Sequence, residues 1–400
     1  MSLDKTILDS DFRNENNIGG SDKKFYHIEK HELIGSGAGS EVWKGYRITP
    51  YDYEEVVIKV SNRDSDCLTS LKKEARLAKS LKEHDGIGKI IAYDFDEKLK
   101  KGQILMEYID GKNIAEIVAW HKKNLLNLHF PQRLAAFIGF ECSKSLDYAH
   151  KKIISDENGK SSIGLIHRDI TPQNIIITHT GYPKIIDFGL GILSSDVGRK
   201  DVIGKVAGKL GFIAPEIFNN KLIDFSVDIY SLGMVMDYLI RGRNPLLDDI
   251  KENSDSFEAI NKTIENINKG FKKINEEIGH VDDVLSSIIS KATEKDSGKR
   301  YGTMEELHND IKNYLYVNGP TRLGPTREAL KSYIELIYTP GLETNVLLSS
   351  ENKNYYLHDE LKRKIKQIME QAPYMVREGN FCLETISNDK NGYISINLQS

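Results

Sequence analysis

The sequence predicts an α+β chain, a β-rich amino-terminal part followed by a longer helical part, with a further α+β extension at the carboxy end. Three features predict it. From Phe25 onward, strand-like alternation surrounds a glycine-rich turn and one amphipathic helix. Beyond residue 110, apolar-faced helical stretches take over, 131–150 and 228–240 among them. Past Val317, the breakers Asn318-Gly319-Pro320 and Gly324-Pro325 set off a last group of helical and strand-like segments. Residues 1–24 then read as a polar, disordered segment, 25–317 as one domain whose β-rich part runs to 109 and whose helical part covers 110–317, and 318–400 as the extension.

Composition narrows the function. Four hundred residues with a 39% hydrophobic share can bury a substantial core, and a formal net charge of -4 points neither to nucleic acid nor to a membrane surface. Cys67, Cys142 and Cys382 lie far apart without a CxxC spacing, so neither a metal cluster nor a disulfide framework is expected and a reducing compartment is the natural reading. No apolar run approaches the length of a bilayer; the best, 134–140, suits a core helix. The amino end lacks a basic-then-apolar leader pattern, which makes the cytoplasm the expected location. No solenoid or propeller repeat is visible, and nothing fixes an oligomeric state.

The chemistry concentrates in 164–191. His167-Arg168-Asp169 is followed five positions on by Asn174, and later by Asp187-Phe188-Gly189. A strand over 175–177, a polar turn over 178–182 and a strand over 184–186 predict a hairpin with these polar residues at its ends. Moving a phosphoryl group needs a carboxylate near the incoming hydroxyl and oxygen ligands for magnesium. Asp169, Asn174 and Asp187 supply both, unless they are three unrelated surface residues near a turn.

The order H-R-D-x-x-x-x-N, then D-F-G, resembles the protein kinase family, and the compound match is specific where a lone DFG is not. The resemblance implies a bilobal protein-kinase-like fold, ATP, Mg2+ with Mn2+ as an alternative, and protein substrates with serine or threonine acceptors. It further implies Asp169 as the catalytic carboxylate, with Asn174 and Asp187 as metal ligands.

In the first lobe, Gly35-Ser36-Gly37-Ala38-Gly39-Ser40-Glu41-Val42 forms the glycine-rich turn, in which backbone amides can approach phosphate oxygens; alone it would read as a flexible hairpin just as well. Val56-Val57-Ile58-Lys59 resembles the strand whose lysine grips the α- and β-phosphates. Two positions depart from the family: Ser40 stands where a third glycine is usual, and Val57 where alanine is usual beneath the adenine. Residues 68–83 have a helical period through Leu71, Ala75, Ala78 and Leu81. The resemblance pairs Glu74 of this helix with Lys59; otherwise Glu74 is an ordinary solvated helix residue. Residues 103–109 read as a buried strand running into Asp110-Gly111-Lys112. There the resemblance implies an interlobe hinge, with backbone groups of Glu107 and Ile109 on the adenine edge and Met106 walling the pocket, a role compatible with plain core packing.

In the second lobe, 131–150 is a long helix ending in Tyr148-Ala149-His150, followed by a polar insert, 155–162, that reads as a surface loop. That arrangement, with a small hydroxyl residue before Pro172-Gln173-Asn174, resembles a bacterial subgroup of serine/threonine kinases. Thr171 stands where a lysine usually steadies the transferred phosphoryl group, and Lys209 stands where threonine is usual. These positions face each other in the family, so we expect a swap in which Lys209 delivers the cation and Thr171 the hydroxyl; alternatively Lys209 is a solvated loop lysine and catalysis is poor. Between Gly189 and Ala214 the hydroxyl residues are Ser194 and Ser195. In related kinases the residue matching Arg168 binds an activating phosphate, which here Asp196 or Asp201 could replace, so weak or absent phosphate control is expected. Asp228 is expected either to bond catalytic-loop amides or to cap its helix, and Arg300 either to pair with Glu216 or to lie exposed.

In the extension, 326–337 and 357–372 read as helices, and 380–386 with 393–398 as a hairpin. Either this segment packs on the large lobe or it regulates the enzyme or docks a partner. The leading function is an ATP- and magnesium-dependent serine/threonine protein kinase. Against it stand a nucleotide-binding pseudokinase scaffold and a kinase-like phosphotransferase for small molecules, the latter disfavoured by Ala214-Pro215-Glu216 and the segment before it.

Overall fold

The computed structural model describes residues 12–13, 25–36, 39–48, 53–61, 64–124, 130–155, 161–196, 208–219, 223–251, 254, 256–278, 281–316, 327–338, 347–348, 354–357, 386–388 and 394–397. The chain divides into two compact units, Met1–Asp110 with Ile186–Gly191, and Gly111–Ile185 with Ile192–Ser400. Asp187-Phe188-Gly189 belongs to the first unit.

The first unit is an antiparallel sheet with one helix. Its strands are β1 (Phe12–Arg13), β2 (Phe25–Ser36), β3 (Ser40–Ile48), β4 (Tyr53–Ser61), β5 (Ile90–Asp96) and β6 (Lys101–Glu107), in the order β1-β2-β3-β4-β6-β5, and its helix is α1 (Ser65–Ser80). Alternation along β4 buries Val56, Ile58 and Val60 with Ile28, Ala92 and Leu105 on one face. The register Val42↔Lys59 and Val57↔Met106 puts those four residues on the other face. There α1 packs through Leu71 and Ala75 against Ile104, with Met106 beside them. The helix starts three residues before its apolar period does, because the Asp64 carboxylate accepts the amides of Asp66 and Cys67 at 2.8 and 3.1 Å. β6 ends at Glu107, short of the strand expected to Ile109.

The second unit opens with β7 (Gly111–Asn113), α2 (Ile114–Asn124) and α3 (Gln132–Lys151). Short strands follow: β8 (Ile153–Ser155), β9 (Ser161–Ile163), β10 (Leu165–Ile166), β11 (Ile175–Thr178), β12 (Pro183–Ile185) and β13 (Ile192–Leu193). Then come α4 (Pro215–Phe218), α5 (Ser226–Arg241), α6 (Ser256–Lys269), α7 (Ile274–Glu277), α8 (Asp283–Ala292), α9 (Met304–Tyr316) and α10 (Arg327–Ile337). α3 is buried along most of its length and packs against α5 and α9. The expected hairpin forms as β11 and β12, and β7 pairs along the other edge of β11. β10 pairs with β13, anchoring the start of the segment after Gly191.

Two expectations change in this unit. The ends of the polar insert are strands rather than loop: β8 and β9 pair with register Ile153↔Ile163, too short to leave a periodic signal, while 156–160 lie outside the described residues. Further on, β14 (Leu347–Leu348), β15 (Asn354–Leu357), β16 (Ile386–Asn388) and β17 (Ile394–Asn397) form an antiparallel sheet in the order β14-β15-β17-β16. Leu357, expected to begin a helix, ends a strand, and the rest of that helix falls outside the described residues. Of the hairpin expected from 380–386 and 393–398, β16 and β17 pair antiparallel, with Ser387 and Asn388 in a strand rather than in the turn, while 380–385 and 389–393 lie outside the described residues. Among the described residues no helix is long and apolar enough to cross a membrane.

Candidate active site

In the first unit, alternation along β4 turns Lys59 toward α1, where Glu74 occupies the facing helical position. Lys59 Nζ donates to both Glu74 carboxylate oxygens at 2.8 Å and to Asp187 Oδ1 at 3.2 Å. Burial works against the Lys59 charge, but the carboxylates of Glu74 and Asp187 more than restore it and hold the ammonium above its usual range. Burial also pushes the Glu74 carboxyl upward, and Lys59 pulls against that push. Glu74 is therefore no solvated helix residue: its side chain is 7% exposed, whereas that of Asp187 is 42% exposed.

Asp187 adopts φ 63, a left-handed backbone that non-glycine residues rarely hold, and its Oδ1 also accepts the Gly189 amide at 3.0 Å. Gly35, Ser36, Gly39 and Ser40 flank the turn between β2 and β3, while Gly37 and Ala38 lie outside the described residues. Val42, Val57 and Met106 share the sheet face of Lys59 and are half-buried. The Glu107 amide donates to the Lys89 carbonyl at 3.0 Å, and Ile109 follows β6 in irregular backbone.

In the second unit, the loop between β10 and β11 is held from below by Asp228, fully buried in the first turn of α5. Its carboxylate accepts the amides of His167 at 2.8 Å and Arg168 at 2.9 Å and a hydrogen bond from His150 Nε2 at 2.8 Å. Burial alone would raise this carboxyl; the His150 hydrogen bond and the neighbouring histidines outweigh it and hold it below the usual range. These bonds retain Arg168 in its left-handed conformation, φ 69. Asp224 Oδ1, not Asp228, accepts the first amide of α5, that of Ser226, at 2.8 Å, so Asp228 serves the loop rather than the cap. His150 belongs to the Tyr148-Ala149-His150 motif, but its partner was not legible because it lies 78 residues downstream.

At the head of this loop, Asn174 Nδ2 donates to Asp169 Oδ2 at 2.7 Å and to the Asp169 carbonyl at 2.9 Å. Asn174 Oδ1 is then the atom left for a cation. Thr171 is buried, and its carbonyl accepts the Asn174 amide at 3.0 Å. A Cβ on Gly208 would lie 3.0 Å from the Arg168 carbonyl and 3.3 Å from Asp169 Oδ1. With φ +112, Gly208 brings the backbone before Lys209 against the catalytic loop. Partial burial lowers the Lys209 ammonium, while the charge of Asp169 acts to raise it.

Glu216 of α4 and Arg300 make a bidentate pair, both N···O distances 2.7 Å, and the guanidinium lies 4.8 Å from the Tyr230 ring centroid. Both side chains are buried, which rules out the exposed reading of Arg300. The Arg168 guanidinium is also buried, and its Nε has no hydrogen-bond partner among the described residues; Asp201 lies outside them. Ser194 is tied to the β8–β9 hairpin, its hydroxyl donating to the Ile163 carbonyl and lying 3.2 Å from Ser162 Oγ, which in turn accepts the Ser195 amide at 3.2 Å.

A β-rich unit with a paired lysine and glutamate, and a helical unit with an Asp-Asn loop held by a buried aspartate, define the protein kinase class. A model of the protein kinase domain matches residues 28–311, and the chain belongs to that family. It is 27% identical over 320 residues to a probable serine/threonine-protein kinase of Clostridium perfringens, covering 78% of this chain and 42% of that protein. It is 29% identical over 288 residues to the serine/threonine-protein kinase PrkC of Bacillus subtilis, covering 70% and 39%. To the serine/threonine-protein kinase PknB of Mycolicibacterium smegmatis it is 26% identical over 292 residues, covering 71% and 42%. The chain thus spans about two fifths of the length of these relatives.

Proposed function

We propose that this chain is a serine/threonine protein kinase that transfers the γ-phosphoryl group of ATP to protein hydroxyls. The observation that carries the reading is the single ammonium of Lys59 held at once by Glu74 and Asp187, since no packing need explains a part-buried lysine between two carboxylates. Lys59 binds the α- and β-phosphates, and Glu74 fixes its position. Backbone amides of the turn over residues 35–40 cover the phosphates. The Glu107 carbonyl and the Ile109 amide take the adenine edge, with Val42, Val57 and Met106 as apolar walls.

The oxygens of Asn174 and Asp187 suit a hard cation. Among the described residues no group of three or more His, Cys, Asp or Glu side chains could hold a metal alone, so Mg2+ would complete its shell from phosphate oxygens and water. When bound, Mg2+ neutralises charge on the phosphates; Mn2+ has the same ligand preference. Asp169, oriented by Asn174, accepts the proton of the acceptor hydroxyl. Lys209 steadies the moving phosphoryl group in place of the lysine usual at Thr171, whose hydroxyl faces the same reaction. A polypeptide acceptor is favoured by the buried Glu216–Arg300 pair, which rigidifies the segment after Ala214.

The kinase works in the cytoplasm in this reading, and phosphate control at Ser194 is weak, because its hydroxyl is engaged by Ile163. Transfer of radiolabelled phosphate from ATP to a generic basic protein, dependent on Mg2+ and abolished by chelation, tests the proposal. ATP binding without any transfer would leave a pseudokinase scaffold instead.

A further inference from the structure

α10 lies beyond the matched kinase domain, yet it is built into the second unit. Ala329, Leu330, Tyr333 and Ile334 form its buried face. The Tyr333 hydroxyl bonds His121 Nδ1 of α2, and its ring meets Phe130 edge-on at 5.1 Å between centroids. Such a face would hold any amphipathic helix; the contacts at its two ends are more particular.

At the start of α10, Arg327 grips the turn between β11 and β12. Its Nε donates to the Thr180 carbonyl at 2.9 Å, its Nη2 donates to Thr180 Oγ1 at 2.8 Å, and the guanidinium lies 5.4 Å from the Tyr182 centroid. Just past the helix, the Tyr338 ring lies against His179, centroids 3.8 Å apart and planes tilted by 39°, and the Lys112 ammonium of β7 lies 5.6 Å from the Tyr338 centroid. Between these ends the helix backbone rests on the turn itself. Gly181 has φ +72, and a Cβ there would lie 2.4 Å from the Arg327 carbonyl oxygen and 2.6 Å from the Lys331 nitrogen.

α10 therefore grips α2, β7 and the β11–β12 turn together. β7 and β12 flank β11 in one three-stranded sheet. Asn174 immediately precedes β11, Asp187 follows β12 by two residues, and β7 begins two residues after Ile109. Three of the chain segments that enter or leave this sheet lead to a residue assigned to the nucleotide or its metal, while β7 leaves it into α2.

We propose that α10 is a positioning element for magnesium–ATP, with Arg327 and Tyr338 as its positioning residues at the two ends of the grip. The inference rests on the kinase reading above. Loosening the grip lets the sheet and the Asn174 it carries shift, which weakens nucleotide binding more than it slows the transfer step.

The test uses the full chain carrying Arg327→Ala with Tyr338→Ala, the Arg327→Lys variant, and Glu328→Ala on the exposed side of the same helix. Phosphate transfer gives KM for magnesium–ATP and kcat, calorimetric titration with ATP and Mg2+ gives affinity without turnover, and a thermal scan monitors folding. The double variant is expected to raise KM and Kd about three- to tenfold, the scale of losing a charged hydrogen bond and a ring contact, with kcat within about twofold of the parent. Arg327→Lys recovers part of the loss, and Glu328→Ala matches the parent. An unchanged KM and Kd in the double variant overturns the inference, whether or not the thermal midpoint falls. Should the parent bind ATP without transferring phosphate, the kinase reading fails while the titration still decides the role of α10; should it bind no ATP, both fall.

Discussion

Replacing Lys209 by alanine removes a cation on which the charge of Asp169 acts, the one proposed to stand in for the lysine usual at Thr171. A unit charge acting over about 4–6 Å through a partly wet site of effective dielectric about 20 is worth about 3–4 kcal/mol. Lys209 keeps much of its side chain in solvent, with burial lowering its ammonium only in part against the pull of Asp169, so the upper end does not apply. A loss of about 2–3 kcal/mol of transition-state stabilisation is expected, or roughly 30- to 150-fold in kcat. KM for ATP should change little, because Lys209 acts on the moving phosphoryl group rather than on the bound triphosphate. Steady-state phosphate transfer to a basic protein acceptor, with the thermal midpoint as a control on folding, measures both. Adding Thr171→Lys to the Lys209→Ala variant returns the cation to the usual position and should recover part of kcat. Wild-type turnover by Lys209→Ala would refute the swap.

Two further outcomes follow from the buried charges. Arg300→Met leaves the Glu216 carboxylate uncompensated at 5% exposure, so stability should fall by about 3–5 kcal/mol, read as a lower denaturant midpoint; a shift under about 1 kcal/mol would show that the pair is dispensable. The Asp228 carboxyl sits below its ordinary 3.8 in the folded chain, so its contribution is present above that value and lost as pH falls through the depressed folded one. Asp228→Asn should therefore flatten the acid limb of the stability–pH curve and lower stability near neutrality, and an unaltered acid limb would count against the hydrogen-bonded carboxylate.

What the sequence made legible was what local pattern can encode. The helical period of α1 and the β11–β12 hairpin, two apolar runs around a polar turn, were readable from local pattern, whereas the pairing of Lys59 with Glu74 came from the resemblance to protein kinases. Contacts that join distant segments were not readable. The His150–Asp228 bond spans 78 residues and the His121–Tyr333 bond 212, and neither leaves a period or spacing in the chain. The insert hairpin was missed because three-residue strands are too short to alternate visibly. Asp64 was missed as the cap of α1 because the first turn, Ser65-Asp66-Cys67, is polar. Gly181 illustrates the same limit: it reads as an ordinary turn glycine until α10 is seen to lie on it.

The account stands on phosphoryl transfer driven by Asp169, and mapping of phosphosites tests that most directly. Wild type and Asp169→Asn, which keeps the shape of the side chain and removes its basicity, are incubated with ATP, Mg2+ and a protein acceptor and then analysed by mass spectrometry. Phosphate on serine and threonine of the acceptor with wild type, and its near absence with Asp169→Asn, is the expected result. Equal labelling by both proteins, or labelling confined to other residue types, would contradict the account.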